Sequence, residues 1–313
     1  MSPAQPGAQH ELAIALLVVA YRSSADLAAL VASLRPEVVR CRLTVSVVDN
    51  SCDETEFAAV CSAVRPAEQT AHVVLTQAAS NDGFAAGTRL AWAALGERQA
   101  EIDVVVLCNP DVEFVSGSLA GAARTALADD VLVGVPTVTN GGIESGLARL
   151  HPFTGKTRAA PHASRGFVYP AGHLLALRAG LFVELGGIDP VFFLYGEELD
   201  LVLRLRELRG DARVVSGPGL TVRHAGGGST GPSTSPLVQF HASRSRVVLY
   251  RRHRSLRRYL IPMVAARCAR AALLTLGGKR AAGRAVAVGL RAGISANAIG
   301  EPAARRAAAW YRS

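Results

Sequence analysis

Val104–Phe114 reads VVVLCNPDVEF: five apolar residues in a row, then Asn109, Pro110, Asp111 and Glu113. A short apolar run closed abruptly by turn formers is the pattern of a strand buried on both faces. Similar runs lie at 12–20 (LAIALLVVA), 43–48 (LTVSVV) and 72–76 (HVVLT), with helix-like segments near 25–34, 53–63 and 84–98 between the runs. Strands alternating with helices imply βαβ units, so the expected fold class is α/β, with a mostly parallel central sheet flanked by helices. Sheets of this kind bind ligands beyond the carboxyl ends of their strands, which is where Asn109–Glu113 falls.

The other strand ends carry polar residues too. Tyr21 follows the first run, Asp49 and Asn50 the second, Asn81 comes shortly after the third, and Asp111 follows the fourth. Each taken singly is as readily a turn former or helix cap, but four in successive units predict a site. VVAYRSS after the first strand has no GxGxxG, which argues against a dinucleotide pocket.

Beyond residue 136 the alternation fades into TNGGIESGLARLHPFTGKTRAAPHASRG, expected to form loops that cover a site. FVYPAGHLLALR (167–178) is expected as one more buried strand, LDLVLRLREL (199–208) as an amphipathic helix and ARVVS (212–216) as a short strand. YGEELDL places Glu197, Glu198 and Asp200 at a helix start, where acids suit the helix dipole whatever else they do.

The five cysteines form no CxxC pair and are read as reduced thiols of a cytoplasmic protein rather than a zinc site or disulfide framework. The first residues, MSPAQPGAQHEL, show no export signal. Net charge is +9, but unevenly spread: residues 244–313 hold sixteen Lys and Arg against one acid, whereas residues 1–243 hold 18 basic and 24 acidic residues. Arginines at 267 and 270 interrupt the longest apolar run of this tail, so a membrane span is not expected. Aromatic residues for stacking are sparse and no nucleic-acid motif is present, which leaves basic amphipathic helices on an anionic membrane surface, or a solvated face. The expected division is a tail at 1–10, a domain at 11–243 and a basic helical extension at 244–313.

The segments VVAYRSS, VVDNSCDET, NDGFAAGTR, LCNPDVEF, PAGHLLALRAGLFVELGGIDPVFFLYGEELDLVLRLR and HAGGGST, in this order, resemble the family 2 inverting glycosyltransferases of the GT-A fold, in particular their bacterial rhamnosyltransferase-like branch. The resemblance covers about residues 12–230. It implies transfer of a sugar from a dTDP- or UDP-sugar donor, with dTDP-rhamnose suggested by resemblance alone, assisted by Mg²⁺ or Mn²⁺. The acceptor implied is a lipid-linked glycan at the inner face of the cytoplasmic membrane. By the same resemblance, Asp111 is expected to hold the metal and His224 to ligate it or touch the diphosphate, while Asn109, at the first position of the metal motif, is expected among the nucleotide-binding residues. Asp49 is expected to read the pyrimidine base, and Tyr21, Asn50, Asn81 and Gly83 to complete the nucleotide pocket. Arg89, where the family often has asparagine, is either a phosphate contact or an exposed helix residue; Thr88 departs in the same way. Glu198 is the expected general base, with Glu197 and Asp200 as alternatives. A soluble acceptor, or nucleotide binding without turnover, are the competing readings.

Overall fold

The first four apolar runs pair side by side because none has a polar face to offer water. They form β1 (Ala13–Ala20), β2 (Arg42–Asp49), β3 (His72–Gln77) and β4 (Val104–Cys108). β1 and β4 are buried throughout, whereas β3, at the sheet edge, is half-exposed. The structure is a computed structural model that describes residues 11–128, 131–139, 141–161, 166–225 and 233–295. The expected tail at 1–10, the glycines at 226–228 and the last part of the basic extension, 296–313, lie outside the described residues.

The remaining strands are β5 (Val112–Gly117), β6 (Val131–Gly134), β7 (Thr137–Thr139), β8 (Gly142–Glu144), β9 (Leu147–Leu150), β10 (Thr157–Ala159), β11 (Phe167–Pro170), β12 (Leu174–Arg178), β13 (Arg213–Ser216) and β14 (Leu220–His224). The helices are α1 (Ser24–Ser33), α2 (Pro36–Val39), α3 (Glu54–Val64), α4 (Gly83–Ala93), α5 (Leu119–Ala126), α6 (Ala179–Glu184), α7 (Glu197–Arg209), α8 (Pro236–Arg252), α9 (Arg254–Arg257), α10 (Leu260–Leu276) and α11 (Arg280–Ser295).

The central sheet has seven strands in the order β13-β6-β12-β4-β1-β2-β3. Its pairs are parallel except that β12 runs antiparallel to both neighbours. This is the mostly parallel α/β architecture expected. A four-stranded sheet, β5-β14-β7-β8, and a three-stranded one, β10-β9-β11, complete the strands among the described residues.

Two expectations are corrected. The stretch 167–178 is two strands rather than one: β11 ends at Pro170, which has no N–H to continue a ladder, and the chain turns before β12 joins the central sheet. The region after residue 136 is not only loop, since β7 to β10 lie in it. These strands are three or four residues long and mostly exposed, so they leave no apolar period to read.

Residue 244, where the basic extension was expected to begin, lies inside α8. That helix is buried along most of its length, with Phe240, Val247, Leu249 and Tyr250 in the core. Gly289 and Gly293, four apart on α11, let α11 lie directly against it: a Cβ on Gly289 would fall 2.4 Å from the Phe240 carbonyl oxygen, and one on Gly293 2.6 Å from Val247 Cβ.

Candidate active site

Asp111 sits in the turn between β4 and β5, past the carboxyl end of a central strand. The pairing of β5 with β14 sets Val112 opposite His224, and the Ala225 N–H donates to the Asp111 carbonyl. This register brings His224 Nε2 to 3.2 Å from Asp111 Oδ1. The two residues expected to hold a metal are therefore side by side. Glu113, two residues on, instead forms an exposed cross-strand ion pair with Arg223.

A residue that sequence reading passed over completes this cluster. His173, in the turn before β12, stacks on His224 with ring centroids 4.9 Å apart and planes 21° apart. Its Nε2 lies 2.6 Å from Thr137 Oγ1, and its carbonyl accepts the Asn109 N–H. Burial, then the neighbouring His224, hold the His173 imidazole down at about 4, so it is neutral at ordinary pH.

Glu198, at the start of α7, lies against Gly172, the residue next to this cluster in the chain. Tyr195 (φ 68°) and Gly196 (φ 98°) turn the chain sharply and deliver Glu197 and Glu198 to the first turn of that helix. Glu198 Oε1 lies so close to Gly172, the residue before His173, that a Cβ there would sit 1.8 Å from it. Any side chain at position 172 would displace the carboxylate. Contacts thus run from Glu198 through Gly172 and His173 to His224 and Asp111.

The three acids of YGEELDL part ways. Burial raises the Glu198 carboxyl to about 7. Burial, then the charge of Glu198, push Glu197 well above the ordinary carboxylate range, and Glu197 Oε2 has no hydrogen-bond partner among the described residues. Asp200 is committed to the core: Oδ2 accepts from Arg204 Nε at 2.7 Å, while Oδ1 lies 2.9 Å from His253 Nε2 and 3.8 Å from Arg252 Nε. Although burial pushes Asp200 upward, the His253 hydrogen bond and the arginine charges hold its carboxyl below the ordinary range. Such a tied carboxylate is a poor proton acceptor, unlike Glu197 and Glu198, whose carboxyls no ion pair among the described residues holds in the ionised form.

The expected nucleotide residues line the neighbouring strand ends. Asp49, fully buried at the end of β2, accepts from the Ser51 N–H at 2.9 Å and the Ser51 hydroxyl at 2.6 Å. A carboxylate has further lone pairs, so it can still accept from a base. Asn50 Nδ2 donates to the Gly83 carbonyl, and Asn81 Oδ1 accepts the Gly83 N–H, both at 3.1 Å. Gly83 (φ 90°) is required where it stands, because a Cβ would fall 2.5 Å from the Phe193 carbonyl oxygen. That carbonyl accepts the Phe84 N–H, joining the 188–196 loop to the start of α4, beside the expected nucleotide residues. Tyr21 is exposed at the end of β1.

The departures at 88 and 89 have local explanations. Thr88 is buried and bonds back to the Phe84 carbonyl, and exposed Arg89 donates to the Gly186 carbonyl at 3.3 Å.

No protein-family model matches the chain. In sequence it is 26% identical over 268 residues to the N-acetylglucosaminyl-diphospho-decaprenol L-rhamnosyltransferase of Mycobacterium tuberculosis (strain CDC 1551 / Oshkosh), covering 76% of this chain and 84% of that protein. The H37Rv protein of the same name matches equally. In structure it is similar to a mannosyltransferase from Pyrobaculum calidifontis in complex with GDP-Man and Mn²⁺, with a TM-score of 0.53 and 14% identity over 92% of this chain and 88% of that one. It is also similar to GalNAc-T7 with UDP, GalNAc and Mn²⁺, with a TM-score of 0.52 and 15% identity over 78% of this chain. There it spans only half of the other chain's length. The fold is the GT-A fold of glycosyltransferases, and the resemblance read from the motifs is to the same kind of protein as the mycobacterial relative.

Proposed function

We propose that this GT-A-fold chain moves a sugar, with inversion, from a nucleotide-diphosphate donor to a polyprenyl-diphosphate-linked glycan held at a membrane surface. The observation that supports the proposal is the run of contacts from Glu198 through Gly172 and His173 to His224 and Asp111, in which Glu198 would be the proton acceptor and the Asp111–His224 pair would face the charged leaving group. Rhamnose as the sugar and an N-acetylglucosaminyl lipid as the acceptor are carried over from the mycobacterial relative's name.

In the reaction, an acceptor hydroxyl oxygen attacks the anomeric carbon from the face opposite the diphosphate. The bond from that carbon to the diphosphate oxygen breaks, its electron pair leaving with the diphosphate. Glu198 takes the hydroxyl proton. Asp111 and His224 fit a divalent cation, offering one oxygen and one nitrogen donor 3.2 Å apart. No group of three such side chains occurs among the described residues, so a cation held here would take its remaining ligands from the donor diphosphate and water. Held by Asp111 and His224, a bound Mg²⁺ or Mn²⁺ would supply positive charge to offset that of the diphosphate. His173 holds the His224 ring by stacking and cannot compete as a cation itself, being neutral. Asp49, Asn50, Asn81, Gly83 and Tyr21 would receive the nucleoside, and Asn109 would lie beside the diphosphate.

The test is turnover of a panel of dTDP- and UDP-sugars with Mn²⁺ and a polyprenyl-diphospho-GlcNAc acceptor, with product configuration read by NMR. Release of nucleotide from one donor, with an inverted product, is expected. No release from any donor would leave a binding module, and transfer only to soluble acceptors would remove the lipid from the reading.

Asp111→Ala is expected to weaken Mn²⁺-dependent nucleotide affinity by about tenfold or more, with the thermal midpoint little changed. Calorimetry with and without Mn²⁺ checks this, and unchanged metal-dependent affinity would reject the assignment.

A further inference from the structure

We infer that the outer face of α10 is an interfacial surface that lies in the headgroup region of an anionic bilayer; the inference rests on the membrane-held acceptor proposed above for its purpose, though not for its evidence. Ile261, Ala265, Cys268, Ala272 and Leu276 follow one another at helical spacing, and all are exposed. Ile261 and Leu276 are 83% and 84% exposed, and Leu273 beside them 65%. Apolar side chains this open, gathered on one helix, mark an interaction surface rather than scattered surface residues.

No charge interrupts this face. The two arginines of α10, Arg267 and Arg270, are both half-buried, and Arg267 turns inward to donate to Gln239 Oε1 and Ser243 Oγ of α8. Exposed cations stand instead at its two ends, Arg254, Arg257 and Arg258 before the helix and Lys279 and Arg280 after it. Residues 244–295 contain no Asp or Glu at all. A second copy of the chain would bring the same cations against these, with no acid among residues 244–295 of either copy to pair them. An anionic bilayer supplies both things the face lacks, an apolar layer for the stripe and negative headgroups for its ends. No helix among the described residues is long and apolar enough to cross a membrane, so α10 would lie in the surface plane.

The apolar stripe makes the attachment different from a purely electrostatic one. The full chain is expected to sediment with vesicles of mixed phosphatidylglycerol and phosphatidylcholine, and to stay partly bound at high salt, where charge contacts are screened. Ile261→Asp/Leu276→Asp, both at exposed positions, is expected to keep the fold by circular dichroism and to lower vesicle affinity by at least about tenfold. As an independent reading, an environment-sensitive dye on Cys268 in a Cys52→Ser background is expected to shift to shorter wavelength when vesicles are added. Unchanged vesicle affinity of the double aspartate variant, or no dye shift, overturns the proposal. So does a dimer that the double variant disperses with no vesicle binding by the parent, which would assign the face to a second copy. Nucleotide-sugar turnover without lipid separates the two readings: vesicle binding that depends on α10 in a chain with no turnover leaves this surface standing and removes the transferase.

Discussion

Glu198→Gln is expected to lower turnover by about 10² or more while leaving donor affinity close to the parent's, because it removes a proton acceptor and not a donor contact. The carboxylate is already placed: it abuts Gly172, next to the His173–His224 stack, and burial raises it to about 7. A base must be deprotonated to act, so the parent's kcat/KM is expected to rise as pH increases through about 7, and this limb should vanish from the residual activity of the variant. The sign for stability runs the other way. A carboxyl whose folded value lies above its unfolded one binds its proton more tightly in the native state, so it costs stability as pH rises past the ordinary carboxylate range. Removing that charge should therefore leave the thermal midpoint at pH 8 no lower than the parent's. Glu198→Asp, which only withdraws the carboxylate by one methylene, should retain more activity than Glu198→Gln. Near-normal turnover in Glu198→Gln, with a large loss in Glu197→Gln, would move the role to Glu197.

The residues that were legible in the sequence are those whose environment is local. β1, β2 and β4 were readable because strands buried on both faces need unbroken apolar runs, and β1 and β4 show full burial along their length. The cluster at the strand ends was readable in outline for the same reason, since topology alone fixes where such a sheet binds ligands. Asp111 and His224 were paired by resemblance, and their contact depends on a β5–β14 register that a separation of 113 positions conceals. His173 gave no signal: a lone histidine beside LLALR looks like a core residue, and its place is fixed by the antiparallel pairing of β12 with β4. Asp200 could not be told from its neighbours by sequence because its partners include Arg252 and His253, more than fifty positions away. Charge counting likewise set a boundary at 244 because arginine density changes there, although the packing does not.

A chain ending at residue 243 is accordingly expected not to fold, a larger effect than any single substitution considered above. The cut falls in the middle of α8 and removes Val247, Leu249, Tyr250 and Leu256, all within 2% of full burial. Each fully buried side chain of this size contributes roughly 1.5–3 kcal/mol, so four of them rival the entire 5–15 kcal/mol of a typical native state. The same cut removes what holds the 188–196 loop. Arg244 Nη1 donates to the Val191 carbonyl and Ser245 Oγ to the Leu194 carbonyl, both at 2.8 Å, and Arg252 pairs with Asp189 at 2.7 Å. His253 leaves as well, depriving buried Asp200 of its Oδ1 partner. A truncation that separates membrane attachment from catalysis must therefore fall beyond α8, and the α10 face is better tested by substitution than by deletion. Circular dichroism and thermal melting of the 1–243 chain are expected to show no cooperative transition. A parent-like melting transition in the 1–243 chain would show that the basic tail is an appendage after all.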